Sequence, residues 1–303
     1  MSTEGVYLPP AFFIGGSLMA NKKILHETKI VVVGTGGTGG ILSGKLARYI
    51  YGKTSNLANR DYYELILIDG DRVEEKNIAR QPFSRDDIGR YKADCLQEAY
   101  KEFFDINCTS NTDFIDDCDE FSKICKYTKK LSSSYTVKRH LIIIGCVDNH
   151  RARQTMDKFF YLADVPDNND ILYIDSANEF DWGTVICGYK DHEGIKIPPR
   201  SFFFPDILKS KEKKASELSC GEVNVSAPQH FATNEQAALL CFTAIINFIE
   251  NDRIIDGVTY FNVFDNAISN RPLSEYIQGA LKKHEVKDYL SLTKAVKEKS
   301  AND

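Results

Sequence analysis

The 303-residue sequence contains no apolar run close to the roughly 20 residues that a membrane-crossing helix needs. It has no Cys-x-x-Cys pair, although eight cysteines are present: Cys95, Cys108, Cys118, Cys125, Cys146, Cys187, Cys220 and Cys241. That absence disfavours a zinc ribbon, and no metal of that kind is expected. There is no basic excess either. Lys and Arg number 38 against 43 Asp and Glu, a net charge of −5, which argues against a general nucleic-acid binder. The first twenty residues lack the basic start and compact apolar block of a secretory signal. A disulfide framework is therefore not expected, and the expectation is a cytoplasmic protein with mostly reduced thiols. No internal repeat or low-complexity tract interrupts the chain. What remains, 43% hydrophobic and 27% charged residues, is ordinary globular usage.

Thr28 to Val33 (TKIVVV) reads as a buried strand that runs into a glycine cluster, Gly34 to Gly40. Ile41 to Tyr51 has helical spacing. Glu64 to Ile68 is a second strand, ended by Asp69-Gly70-Asp71. Asp87 to Phe104 is helical, and Leu141 to Ile144 is a third strand followed by Cys146-Val147-Asp148-Asn149. A helix over Arg151 to Tyr161 and a strand over Ile171 to Ser176 come next. This alternation predicts an α/β fold, a Rossmann-like, doubly wound, mostly parallel sheet. Gly183 to Tyr189 and Thr259 to Phe264, the latter paired near Ile268, give it an antiparallel C-terminal extension. Residues 1–189 form the expected core, 190–230 a long irregular crossover loop, and 231–303 the elements that complete the same domain. That last part holds an apolar helix over Asn234 to Ile249 and an amphipathic tail from Ser274 to Lys299.

Ligands of such sheets sit beyond the carboxyl ends of the strands. Three polar clusters lie at three such ends: the glycine loop, Asp69 to Asp71, and Asp148-Asn149. Gly34, Gly36 and Gly39 satisfy G-x-G-x-x-G, with Gly37 between them. Glycine permits the tight strand-to-helix turn and lets backbone N–H groups approach a phosphate. Asp69 can accept hydrogen bonds from ribose hydroxyls, or it can serve only as a turn or cap residue. These two features leave NAD, FAD, S-adenosylmethionine and ATP equally open.

The run Asp69-Gly-Asp71-Arg-Val-Glu-Glu-Lys-Asn77-Ile-Ala-Arg80-Gln81 narrows the choice. It is followed by Gly89-Arg-Tyr-Lys92 and by Asp148-Asn149. The combination resembles the ThiF/MoeB family, the bacterial relatives of ubiquitin-activating enzymes. The resemblance is strong over residues 28 to 185 and weaker beyond. It implies ATP and Mg²⁺ as cofactors and adenylation of the C-terminal glycine of a small ubiquitin-like or sulfur-carrier protein by a homodimer. It implies phosphate contacts from Arg80 and Lys92, support from Asn77, ribose binding by Asp69, electrostatic or metal support from Asp71, and Mg²⁺ on Asp148. Relatives often carry structural zinc and an N-terminal arginine that reaches across the dimer. Here the first arginine is Arg48, inside a helix, so a lysine such as Lys22 or Lys23 would have to replace it. Cys220, in Leu218-Ser-Cys220-Gly before Gln229-His230, resembles the acyl acceptor of activating enzymes and of the ThiF-like branch in PRTRC gene systems. That implies a thioester on Cys220, with His230 as a possible assistant. Two alternatives stand beside this reading: an NAD-dependent oxidoreductase, and a non-catalytic scaffold that binds a ubiquitin-like partner.

Overall fold

A computed structural model describes residues 12–13, 24–56, 61–127, 136–210 and 229–277. Five strands carry the core: β2 (Ile24–Val33), β3 (Tyr62–Ile68), β4 (Cys108–Asn111), β5 (Thr136–Gly145) and β6 (Asn169–Asn178). Their apolar residues alternate with period two, so each strand buries both faces. Ile30, Val32, Leu65, Leu67, Ile142 and Ile144 enter one core. Val31, Val33, Ile66, Ile68, Leu141 and Ile143 enter the other. Helices α1 (Gly37–Thr54), α3 (Lys92–Phe104) and α7 (Phe231–Asn251) cover the first face. Helices α4 (Cys118–Cys125) and α5 (His150–Leu162) cover the second.

The strand order β4-β3-β2-β5-β6 is parallel throughout. It reverses direction between β2 and β5, the switch point where doubly wound sheets open a crevice. Beyond β6 the sheet turns antiparallel through β7 (Trp182–Asp191), β10 (Val258–Asn262) and β11 (Ala267–Arg271). The nine-stranded sheet thus has the expected Rossmann-like architecture with its antiparallel C-terminal extension. Among the described residues no helix is long and apolar enough to cross a membrane.

Several elements depart from the sequence reading. The helix expected from Asp87 starts at Lys92, because residues 85–87 form a 3-10 turn and Gly89 follows at φ +85°. Ser84 and Asp87 cap that turn reciprocally. Helix α1 begins at Gly37, so half of the glycine cluster is already helical. Strand β4 and helix α4 were not anticipated. Strand β4 is short and polar, and α4 is fixed by its N-cap, Asp117, which accepts hydrogen bonds from the Asp119 and Glu120 amides. The crossover is regular at its start. Strand β8 (Gly194–Ile197) folds back on β7, and α6 (Arg200–Phe203) and a 3-10 turn follow to Lys209. Two residues each make up β1 (Phe12–Phe13) and β9 (Arg253–Ile254), which pair with one another. A four-residue helix, α2 (Glu75–Ile78), lies between β3 and α3. The predicted tail helix is seen only over residues 273–277; the rest of it lies outside the described residues.

Candidate nucleotide and active site

Three chain segments meet at the switch point. Gly34 has φ +83°, a conformation costly for a side chain. A Cβ there would lie 2.6 Å from the Cys146 carbonyl oxygen. The Gly34 amide donates to the Ile68 carbonyl (2.8 Å), and the Cys146 amide to the Val33 carbonyl (2.8 Å). Asp69 ties the loop further. One carboxylate oxygen accepts from the Thr35 amide (2.7 Å) and hydroxyl (3.1 Å), the other from the Asp71 amide (2.9 Å). Burial raises the Asp69 pKa, opposed by Lys92. The residue expected to hold a ribose therefore also ties down the glycine loop, the kind of turn role left open for it in the sequence. Phe114 packs on Gly70, which leaves no room for a side chain there.

Helix α1 opens at Gly36 with no side-chain cap and no acidic residue in its first turn. Its first amides are thus free of side-chain partners, the usual arrangement for an anion-binding helix end. A Cβ on Gly36 would meet only the Gln81 side chain, 3.5 Å away. Gly37, Gly39 and Gly40 are crowded by Asn234, the Gly34 carbonyl and Pro82. Gly36 is accordingly the loop position with open space before it.

Lys92 is the cationic centre. Its side chain is 9% exposed, and Nζ donates to Asp71 (2.9 Å), which is 57% exposed. Burial lowers the Lys92 pKa, but Asp69, Asp71 and Asp148 together outweigh it, so the net shift is upward. The ammonium therefore stays charged, paired with Asp71 after β3 and within the electrostatic reach of Asp148 after β5. Asp148 is exposed and Arg80 half-buried. Among the described residues neither side chain has a hydrogen-bond or ion-pair partner. The Arg80 amide bonds the Asn77 carbonyl (3.0 Å), and the next residue, Gln81, lies against the glycine loop. Asn77 is buried, and its Oδ1 accepts from the Glu74 amide (2.8 Å), so it shapes α2. The Gln81 Oε1 is buried without a hydrogen-bond partner.

The Asp148 loop rests on a buried ionic group. Arg153 donates to the Val147 and Ser176 carbonyls and to Asp175, which also accepts from Arg200. Asp175, Arg153 and Arg200 are each at most 5% exposed. Asn149 caps α5 by accepting from the Ala152 amide (2.8 Å). A second polar group links Thr38, Asn178 and Asn234 at the start of α1. Arg153, Asp175, Arg200 and Asn178 stand in no recognisable motif, so sequence reading missed them. His230 caps α7 and packs edge-on against Phe180 and Phe264. Cys220, Lys22 and Lys23 lie outside the described residues. The other seven cysteines all have raised pKa values, led by burial; Cys146 and Cys187 reach about 12. Cys187 and Cys241 are core residues, as expected.

A doubly wound sheet with a glycine-opened helix and a buried lysine at its switch point defines a Rossmann-like nucleotide-binding protein. The ThiF family model matches residues 15–278, and the chain belongs to the ThiF family. No curated protein matches the sequence. Among solved structures it is similar to E. coli MccB with AMPCPP and MccA, at 20% identity and a TM-score of 0.53, covering 80% of this chain and 63% of that one. E. coli MccB with ATP gives 20% identity and 0.53, covering 80% and 62%. PaaA gives 17% identity and 0.52, covering 81% and 64%. The chain thus spans less than two thirds of these structures' length, and at such identity the likeness is one of fold.

Proposed function

We propose that the protein is an adenylyltransferase that activates, with ATP, the C-terminal glycine carboxylate of a small ubiquitin-like or sulfur-carrier protein. What supports this reading is the uncapped α1 N-terminus, a buried Lys92 whose charge Asp69, Asp71 and Asp148 all favour, and Arg80 next in sequence to Gln81, whose side chain faces Gly36. Similar structures hold ATP, AMPCPP and the MccA partner, which supports the reading.

A carboxylate oxygen attacks the α-phosphorus, a new O–P bond forms, and the bond to the bridging oxygen breaks as pyrophosphate leaves. Two anions must approach while charge grows on the leaving group. Fixed donors and cations stabilise that charge without reorganising. The first amides of α1 bind phosphate oxygens. Lys92 and Arg80 neutralise the triphosphate, Arg80 through its bidentate fork. The hard Asp148 carboxylate, without a hydrogen-bond or ion-pair partner among the described residues, would suit Mg²⁺, and Asp71 acts on the same lysine as Asp148. Bound there, Mg²⁺ would supply charge neutralisation on the phosphates. Asp69 retains acceptor capacity for a ribose hydroxyl beyond its three present bonds. Asn77 keeps the Arg80 segment in place.

The proposal extends to a cytoplasmic homodimer, with residues 1–189 as the adenylation core, 190–230 as crossover and 231–303 completing the domain. In a second step the Cys220 thiolate displaces AMP to form a thioester. Burial raises the thiol pKa of each of the seven described cysteines, which supports looking for the acceptor elsewhere, at Cys220. The test is ATP–pyrophosphate exchange that depends on an added carrier protein ending in glycine. Arg80→Ala and Asp148→Ala each lose at least roughly 100-fold of exchange and keep the wild-type melting temperature. Exchange at the wild-type rate in either variant refutes the assigned role. Cys220→Ala retains exchange and loses any reductant-sensitive conjugate.

A further inference from the structure

We infer that Asn234, from the first turn of α7, supplies an additional hydrogen-bond donor to the phosphates of the bound nucleotide. The inference rests on the ATP reading above and adds a residue that lies far from the glycine motif in sequence. Asn234 is 2% exposed. Its Oδ1 accepts from the Thr38 hydroxyl (3.1 Å) and the Asn178 amide (3.4 Å). Asn178 also donates to the Thr38 oxygen at 2.7 Å and accepts at its own Oδ1 from Ser176 (3.0 Å). With two donors on one side of the Asn234 amide, the other side must be the NH₂ group. That Nδ2 lies against Gly37, 2.3 Å from where a Cβ would stand. It has no acceptor among the described residues.

The surroundings supply the second half of the argument. Gly37 is the first residue of α1, whose opening amides have no side-chain cap. An amide donor that no protein group accepts is available to an acceptor from outside the chain. Set beside unsatisfied backbone amides at the positive end of a helix, it completes a row of donors that suits an anion. Glycine at position 37 is what allows the amide to reach this place. Asn178, which contacts both Asn234 and Thr38, is also tied to the point where the crossover returns: Gln229 donates to the Asn178 carbonyl at 3.1 Å.

The experiment compares ATP and adenosine binding to the full chain by calorimetry. Asn234→Asp keeps an oxygen for Thr38 and Asn178 but turns the Gly37-facing donor into a negative acceptor. Asn234→Ala removes the donor without adding charge and guards against misfolding of the aspartate variant. ATP affinity is expected to fall roughly 10- to 100-fold in Asn234→Ala and further in Asn234→Asp, with adenosine affinity within about threefold of wild type. Thr38→Val, which breaks the lock and leaves Nδ2 in place, should lose less than Asn234→Ala. Equal losses in Thr38→Val and Asn234→Ala, or parallel losses of adenosine and ATP, would reduce Asn234 to a structural residue and overturn the inference. So would wild-type ATP affinity in Asn234→Ala. A wild-type protein that binds no ATP would overturn the nucleotide reading itself, and this inference with it.

Discussion

Lys92→Met separates folding from nucleotide binding most sharply. Methionine keeps the length of the side chain and removes its charge. On the folding side, Asp69, Asp71 and the exposed Asp148 lose a favourable charge, but none is stranded. The Asp71 side chain is 57% exposed, so water rehydrates it, and Asp69 keeps three hydrogen bonds from Thr35 and Asp71. The lysine also sheds the cost of its own desolvation. With the lysine buried and its ion-pair partner exposed, the pair falls at the upper end of the surface range, and the expected loss of stability is about 1 kcal/mol. On the binding side, in the proposed function the removed group is an ammonium that neutralises bound phosphate, worth about 2 to 3 kcal/mol. At 1.4 kcal/mol per factor of ten, ATP affinity should fall roughly 30- to 150-fold. Urea unfolding and calorimetric ATP titration on the same preparation measure the two effects. A variant that loses several kcal/mol of stability, or that binds ATP within threefold of wild type, would refute the placement of Lys92 as a binding cation supported by an exposed aspartate.

Two further outcomes follow from other parts of the fold. His26 Nδ1 and His140 Nε2 lie 3.0 Å apart, and His140 Nδ1 reaches Asp170 at 2.8 Å. Burial and the His140 and Lys138 charges lower the His26 pKa against the opposing pull of Asp61 and Asp252. The unfolded chain then binds more protons below about pH 6.5, so stability should fall on acidification through that window, by up to about 1.4 kcal/mol per pH unit. His26→Gln should flatten this slope in urea unfolding between pH 5 and 7; an unchanged slope assigns it elsewhere. Phe121 is fully buried and packs edge-on against Phe159 with ring centroids 5.2 Å apart. Phe121→Ala should cost about 3 to 5 kcal/mol. A loss under 1 kcal/mol would mean that α4 does not seal that face of the sheet.

The parallel half of the sheet was legible because its strands announce themselves twice. Residues 28–33, 64–68 and 141–144 are β-branched or leucine runs, and each ends in a polar cluster that has no place in a core. The site residues near the glycine loop were legible for the same reason: spacing alone brings Gly34, Asp69 and Asp148 to adjacent strand ends. Strand β4 was not legible, because Cys108–Asn111 is short, polar and at an edge, and its pairing with β3 is a tertiary fact. The same holds for Arg153, Asp175 and Arg200. An arginine in a helix and an aspartate in a strand read as surface charge until the fold buries them against each other. Asn178 was hidden more deeply, since it looks like an ordinary polar residue at the end of a strand, and Asn234 stood in a recognised stretch with nothing to show its contact with Gly37.

The close approach of the Asn234 amide to Gly37 has an evolutionary corollary. The two positions share one small volume, so neither can drift alone. In descendants or relatives with this packing, enlargement at 37 should be accompanied by shrinkage at 234. A library randomised at both sites should return anticorrelated sizes among its functional members.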